Sequence, residues 1–390
     1  MGFCRKSTIA KRLGESVSGT SKRIARDSSI ASEVDMNKVV SPRVHHAINY
    51  AGEIVLAPMV RIGHLSFREL CRSYGATVCY TPEIIDKALF KCQRIVDDKA
   101  RAIRFERDGS CVLAVGMDEG PLVAQIGTAD PALAVRAAKI VMADVDEINV
   151  NMGCPKSFSL KGGMGAALLR NKDLACAIIA ELTAQIPLPI TAKIRLLDTP
   201  NSVDDTIDFV QGLRRAGAVA VTIHGRRQHD RTLKVPADFE SIAAVVRAIP
   251  DFPILANGDV SSWKEAQRVL ALTGCVGTMT ARAAYESITG LFVPLSDESV
   301  ASVEELPPER LAALQLAACQ KYLEIHRRFE AFDTYQLVKY TISRMLVPSK
   351  CFGDLPTTIS QAKSLAAIRD LLLSFRLEGP APPLPTGDHQ

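Results

Sequence analysis

The feature that most constrains this chain is a rhythm of eight short apolar runs, each followed by a longer amphipathic stretch. The runs are Ile54–Met59, Val78–Ile84, Leu122–Gly127, Glu147–Met152, Pro189–Arg195, Val219–Gly225, Pro253–Asp259 and Cys275–Arg282. Their starts fall roughly 22 to 44 residues apart, room for one helix and two loops in each interval. Parallel strands covered by helices are buried on both faces, so they read as continuous apolar runs, as these do. Eight such units in about 235 residues match the usual size of a (β/α)8 TIM barrel. An open doubly wound sheet would use fewer strands and open on a G-x-G-x-x-G turn, which does not begin this chain.

Polar or special residues stand at the carboxyl end of nearly every run: Met59, Glu83, Gln125, Asn151 with Cys154, Lys193 with Arg195, His224, Asn257 with Gly258, and Arg282. Barrel active sites lie at that face and draw one or two groups from each of many strands. A purely structural scatter would place such residues at either end.

After Pro294 the pattern changes. Leu306-Pro307-Pro308-Glu309 starts a helix, with prolines before the first turn and an acid inside it. Residues 309–346 then carry Leu311, Leu314, Leu316, Ala317, Tyr322, Ile325 and Phe329 at helical spacing, and a further helix is expected near 360–375. The expected fold class is therefore α/β: a TIM barrel over residues 49–300 followed by a small all-α domain over 301–376. Lys321, His326, Arg327, Arg328, Lys339 and Arg344 lie among these helices. Spread out they are a solvated face; clustered they are a phosphate-binding surface.

The two ends read differently. Residues 1–48 hold Arg5, Lys6, Lys11, Arg12, Lys22, Arg23 and Arg26 and no acid until Glu15 and Asp27. They are expected to be a disordered basic extension able to touch RNA phosphates, with a mitochondrial transit peptide as the alternative. Residues 377–390, with Pro380, Pro382, Pro383 and Pro385, are expected to be an unstructured tail.

Composition excludes several classes. A formal net charge of +4 over 390 residues is no polycation, so any nucleic-acid surface must come from local clusters. Ten cysteines without a C-x-x-C pair argue against a zinc or disulfide framework and for a reducing compartment. No metal site and no membrane span are expected. The expected location is cytoplasmic, with mitochondria or nucleus as alternatives through the basic extension.

Several features suit a flavin mononucleotide. Lys193 lies inside an apolar strand, where a lysine is costly unless an anion or an electron-rich ring pairs with it. Gln125 offers a donor and an acceptor to a ring edge, and His224 a ring nitrogen able to donate. Asn257-Gly258-Asp259 and the turn at Ala281-Arg282 follow the seventh and eighth runs, where barrels commonly bind phosphate. The sharpest element is Asn149-Val150-Asn151-Met152-Gly153-Cys154-Pro155-Lys156, which brackets a cysteine between a permissive glycine and a rigid proline at the active face. Its continuation, with Lys161-Gly162-Gly163-Met164-Gly165, reads as a flexible lid whose Lys156 and Lys161 could meet phosphates.

Together Ala57-Pro58-Met59, the Asn149–Lys156 block, Lys161–Leu169, Lys193-Ile194-Arg195, His224-Gly225-Arg226 and Asn257-Gly258-Asp259 resemble, in order, the signature blocks of tRNA-dihydrouridine synthases. The resemblance spans roughly residues 50–350 and is greatest to the eukaryotic type acting at position 20 of the tRNA D loop. It implies an FMN-binding barrel, a helical tRNA-binding domain and NADPH (or NADH) as reductant, with no obligatory protein partner. It also implies that Pro58 and Met59 line the flavin and that Gln125, Lys193 and His224 meet its ring and ribityl chain. Asn257, Gly258, Ala281 and Arg282 would then take its phosphate, with Asp259 beside them. Asn151 would lie beside flavin and substrate, and Cys154 would be the proton donor, a neutral thiol rather than a thiolate. Arg195 and Arg226 are the expected contacts to uracil carbonyls or nearby phosphates.

Many relatives have glycine at the place of Ala281, so the phosphate turn here must avoid positive φ or be remodelled. Animal members of this type carry an added double-stranded-RNA-binding domain, for which there is no room after residue 375. Affinity for tRNA is therefore expected from the barrel rim, the helices and the basic extension. The rival readings are a flavin barrel reducing a small pyrimidine and a catalytically silent RNA-binding barrel.

Overall fold

In the computed structural model, residues 41–230, 235–294, 306–347 and 349–377 are described. The expectations for residues 1–40 and 378–390 lie outside them.

In chain order the elements are β1 (Ile54–Leu56), α1 (Leu65–Arg72), β2 (Cys79–Tyr80), β3 (Ile84–Ile85), α2 (Asp86–Leu89), β4 (Gln93–Asp97), β5 (Ala102–Arg107) and β6 (Ser110–Gly116). There follow β7 (Leu122–Gly127), α3 (Pro131–Val141), β8 (Glu147–Met152), α4 (Ser157–Lys161), α5 (Lys172–Gln185), β9 (Ile190–Arg195), α6 (Ser202–Arg215) and β10 (Ala220–His224). The barrel ends with α7 (Phe239–Ala248), β11 (Ile254–Asn257), α8 (Trp263–Thr273), β12 (Gly277–Thr280) and α9 (Ala283–Glu286). Four helices come after it: α10 (Pro308–His326), α11 (Tyr335–Leu346), α12 (Leu355–Gln361) and α13 (Leu365–Ser374).

Strands β1, β2, β7, β8, β9, β10, β11 and β12 pair in parallel around a ring that closes through the β2–β7 and β1–β12 pairings. This is the expected TIM barrel, and seven of the eight runs fall on single strands of it. The second run covers both β2 and the short β3, which pairs separately with β7.

Alternation along the strands sorts the side chains. Ile148, Val150 and Met152 of β8 and Ala192 and Ile194 of β9 join the main apolar cluster under the helices. Val55, Tyr80, Val123, Leu255 and Met279 form a second cluster. The alternate residues of β8 and β9 are polar: Glu147, Asn149 and Asn151, with Thr191, Lys193 and Arg195. The surrounding helices begin on side-chain caps, such as Asp130 accepting from Leu133 N and Ser262 from Glu265 N.

The interval between the second and third runs holds something the rhythm does not predict. There, β4, β5 and β6 form an antiparallel three-stranded sheet. Its second hairpin turns at Asp108 and Gly109, both with positive φ (49° and 73°). Asp-Gly is the strongest short hairpin signal, and it stands in the sequence unread. Ala100, Ala102 and Ala114 of this region pack with Leu65, Phe329 and Phe332, so the inserted sheet supports the end of α10.

The helical stretch expected over 309–346 divides into α10 and α11, the helix expected near 360–375 is α13, and α12 precedes it. They pack on the barrel through α1, where His64 Nε2 lies 2.6 Å from the Tyr322 hydroxyl and Ser66 donates to Asp333. The buried Gln315 donates to the carbonyls of Tyr285 and Met345 at 2.6 and 2.9 Å, tying α9, α10 and α11 together.

Residues 41–48, expected to belong to a disordered extension, are instead folded against the barrel. Arg43 is 4% exposed and forms a fork on Asp146 at 2.9 and 2.6 Å, with further bonds to the carbonyls of Glu119 and Gly120. His46 N adds a bond to Asp146 at 2.8 Å. Asp146 precedes β8 and Gly120 precedes β7, so this segment lies at the amino-terminal face, opposite the active one. Burial pushes the Asp146 carboxyl up, but the Arg43 bond and the two N–H groups of His46 and Leu122 outweigh it and hold it below the usual range. No helix of the described residues is long and apolar enough to cross a membrane.

Candidate active site

A cavity of about 560 Å³ opens at the carboxyl ends of β9, β10, β11 and β12. Pro155, Lys156, Arg195, His224 and Arg226 line one side, and Asn257, Gly258, Asp259, Ala281 and Arg282 the other. Predicted residues from five separate stretches of sequence therefore meet in one place. Register explains the convergence: Arg195 pairs with His224, His224 with Asn257, and Asn257 with Met279 across four neighbouring strands.

Lys193 sits one inward position deeper than Arg195. Its Nζ donates to Asn257 Oδ1 at 2.8 Å, while Asn257 Nδ2 donates to Met279 O at 2.7 Å, so Asn257 is oriented as an acceptor for the lysine. Removal from water, then the nearby Arg195 cation, pushes the Lys193 ammonium down to about 7. His224 is depressed further, first by burial and then by Lys193, Arg195, Arg226 and Arg282, so its ring is neutral near pH 7. An Arg226 nitrogen lies 3.3 Å from His224 Nε2. A guanidinium only donates, so in this contact Nε2 accepts and the ring keeps its donor on Nδ1.

Asp259 follows the Gly258 turn. Its carboxylate is gripped by the Arg226 fork at 2.7 and 2.6 Å and reached by Arg282 at 3.2 Å. It orients two cations at the cavity wall. Gly258 has φ +123°, and a Cβ there would lie 2.8 Å from the Ala237 Cβ and 3.1 Å from His224 Cδ2. Only glycine fits this turn. Ala281 is not among the residues with positive φ, so the phosphate turn avoids the strain that a glycine would otherwise relieve.

The cysteine loop is folded, not loose. Asn151 Oδ1 accepts from the N–H groups of Gly153 and Cys154 at 2.9 and 3.1 Å, and Arg195 Nε donates to Gly153 O at 2.8 Å. The expected lid is a short helix, α4, and a 3-10 turn over Gly165–Arg170, pinned by Ala166 N on Cys154 O at 3.0 Å. Gly165 has φ +58°, and its missing Cβ would come within 2.9 Å of the Cys154 Cβ. The KGGMG block thus backs the cysteine closely. Lys156 faces the cavity, whereas Lys161 ends α4 on the exposed surface.

Burial pushes the Cys154 thiol up, and the charge of Glu83 adds to this. Cys154 acts electrostatically on Lys193 and Arg195, so all three share one end of the barrel. Glu83 is itself raised by burial, with Asn151, Lys156 and Cys154 around it. Sequence reading placed Glu83 at a strand end but gave it no role.

Gln125 is buried and donates to Asn149 Oδ1 at 2.8 Å. From there a chain runs down the interior: Asn149 to Thr191, Thr191 to Glu147, and Tyr50 to Glu147. Burial pushes Glu147 up to about 7. Nothing in the sequence marked this ladder. Pro58 and Met59 follow β1 at the same face, half-buried, with Met59 O accepting from Ile62 and Gly63.

The donor set fits a phosphate-bearing flavin: a glycine turn that no Cβ can enter, two guanidiniums oriented by Asp259, and a desolvated lysine above a buried amide. No group of three metal-ligating side chains occurs among the described residues.

A barrel with this mouth is suited to an anionic, phosphate-bearing ligand at its strand ends. The Dihydrouridine synthase (Dus) family profile matches residues 55–344, and the chain belongs to that family. It is 38% identical over 268 residues to a Schizosaccharomyces pombe protein named tRNA-dihydrouridine(20) synthase, NAD(P)+, covering 65% of this chain and 55% of that one. To the Saccharomyces cerevisiae protein of the same name it is 32% identical over 320 residues, 78% of this chain and 79% of the relative. A human tRNA-dihydrouridine(20a/20b) synthase-like protein is 33% identical over 239 residues, 60% and 69% of the two chains. The match thus spans about half the length of the fission yeast relative.

Proposed function

We propose that this chain reduces the C5–C6 double bond of a D-loop uridine in tRNA, at position 20, using FMN held in the barrel mouth and NAD(P)H as reductant. The observation that carries this reading is a proton-bearing thiol, Cys154, on the same barrel end as the Lys193–Asn257 pair and the cationic cavity. The names of the yeast relatives supply the substrate class and position.

Lys193 and His224 would hold the ring and ribityl part of FMN, with Gln125 beneath. Gly258, Ala281 and Arg282 would hold its phosphate, with Arg226 steadied by Asp259. Bound there, FMN supplies the reducing equivalents that NAD(P)H delivers. The uridine must leave its stack to enter the mouth, at a cost of about a few kcal/mol. Cys154 then keeps a proton on Sγ until charge develops on the pyrimidine and delivers it to C5. A depressed pKa would empty the thiol too early; burial beside Glu83 does the reverse. Asn151 shapes this loop by accepting from two N–H groups, and Arg195 fixes Gly153.

The test uses the purified protein with FMN, NADPH and unmodified tRNA, scoring dihydrouridine by position. Product at position 20 and none on free uridine supports the reading. Reduction of free uracil or uridine with tRNA untouched would hand the case to a small-molecule reductase.

A further inference from the structure

A second cavity, of about 600 Å³, lies in the helical domain between α11 and α12 and is closed at one end by Arg61 of the β1–α1 loop. Its charged lining residues are Arg61, Lys339 and Arg344, with no carboxylate among them. Tyr340 and Val347 bring exposed apolar surface, 36% and 61% exposed. Arg61 adopts φ +72°, unusual for a residue with a Cβ, and its guanidinium lies 5.8 Å from the Tyr340 ring centre. Ser343, on the groove wall, has a buried Oγ without a hydrogen-bond partner among the described residues.

The groove borders the mouth. Arg61 follows β1, and the Arg344 guanidinium lies 5.9 Å over the ring of Tyr285, which sits in α9 just after Arg282 and Ala283 of the mouth cavity. Strands β1 and β12 are hydrogen-bonded neighbours, so Arg61 and the Tyr285 ring beneath Arg344 follow adjacent strands at the active face. Lys339 Nζ donates to Ala362 O at 3.2 Å, and among the described residues no carboxylate lines the groove. Cations beside an aromatic ring are what single-stranded nucleic acid requires: phosphate pairing along the backbone and stacking on a π face. Arg61 covers one face of Tyr340, and a ring has two. A cavity of this size takes a nucleotide or two and no duplex.

We propose that this groove holds the nucleotide next to the target uridine in the tRNA strand, its base on Tyr340 and its phosphate among Arg61, Lys339 and Arg344. The proposal rests on the tRNA-reducing reading above. The groove would then be the second of two adjoining seats, keeping the strand splayed while the uridine occupies the barrel.

The experiment measures binding of unmodified tRNA to the FMN-loaded full chain across a KCl series, for wild type, Tyr340→Ala, Tyr340→Phe and Arg344→Ala, together with the KM for NADPH. Tyr340→Ala is expected to weaken tRNA about 5- to 100-fold with the salt slope unchanged, and Tyr340→Phe to restore most of the loss. Arg344→Ala is expected to lower the slope of log K against log salt by roughly 0.7 to 0.9. The KM for NADPH should not move. Wild-type affinity with unaltered variants overturns the groove assignment and leaves the proposed function standing. A rise in KM for NADPH instead assigns the groove to the reductant and also overturns it. If wild type itself ignores tRNA, the function falls and the groove assignment with it.

Discussion

The interior of this barrel carries polar groups at both ends, in opposite ways. At the floor, Tyr50, Glu147 and Thr191 satisfy one another, with a single acid whose proton affinity burial has raised to about 7. At the mouth, Lys193, Arg195, Arg226 and Arg282 gather around a neutral His224; burial and then neighbouring cations depress Lys193, Arg195 and His224, with Asp259 as the counterweight. A closed polar ladder is a structural device, because every donor has its acceptor. A crowd of like charges is costly by itself and becomes favourable only when an anion arrives. The difference assigns stability to one end and chemistry to the other, and substitutions can try to break that division.

The largest effect is expected at the mouth. Cys154→Ala should slow dihydrouridine formation about 10²- to 10⁴-fold, the usual worth of a placed general acid. Bleaching of the flavin by NADPH in a stopped-flow trace should continue at nearly the wild-type rate. Normal turnover in this variant would remove the thiol from the mechanism.

On the floor side, Arg43→Ala leaves Asp146 buried without its guanidinium and should cost about 3–5 kcal/mol of stability. Urea melts would record it, and specific activity of the folded fraction should hold. A loss of activity without a shift in midpoint would contradict the division.

Glu147 gives a pH signature. Its folded pKa lies above the unfolded value, so between about 4.5 and 7 the folded state binds the extra proton and stability falls as pH rises through that window. The full effect is about 3 kcal/mol. Glu147→Gln should flatten the dependence of melting temperature on pH there. An unchanged slope would show that the acid does not titrate in the folded barrel.

Smallest, Lys193→Met should weaken FMN about 10- to 100-fold, the range of one hydrogen bond to a charged group, read from flavin fluorescence on titration. Its melting temperature without flavin should rise or stay level, because a desolvated cation has been removed. A fall would make Lys193 a structural residue like those of the floor.

The barrel was legible because parallel strands advertise themselves as apolar runs and because Gly258, Lys193 and the cysteine block are costly residues in positions that only a site would keep. Whole-strand calls at β7 and β8 agree with the structure to the residue. What escaped has physical causes. The β4–β6 sheet escaped because it interrupts the strand–helix rhythm, although the alternation of Ile103, Arg104, Phe105 and Glu106 and the Asp108-Gly109 turn both marked it. The floor ladder was invisible because Tyr50, Glu147 and Thr191 are far apart in sequence and meet only when the ring closes. The contacts of Arg226 with His224 and Asp259 escaped for the same reason, since the last two stand on different strand ends and meet only at the mouth.

Arg43 also sets a limit on how far the chain can be shortened from its leading end. A cut beyond it would strand a carboxylate beneath the barrel, so a trimmed version keeps its footing only while this keystone stays attached.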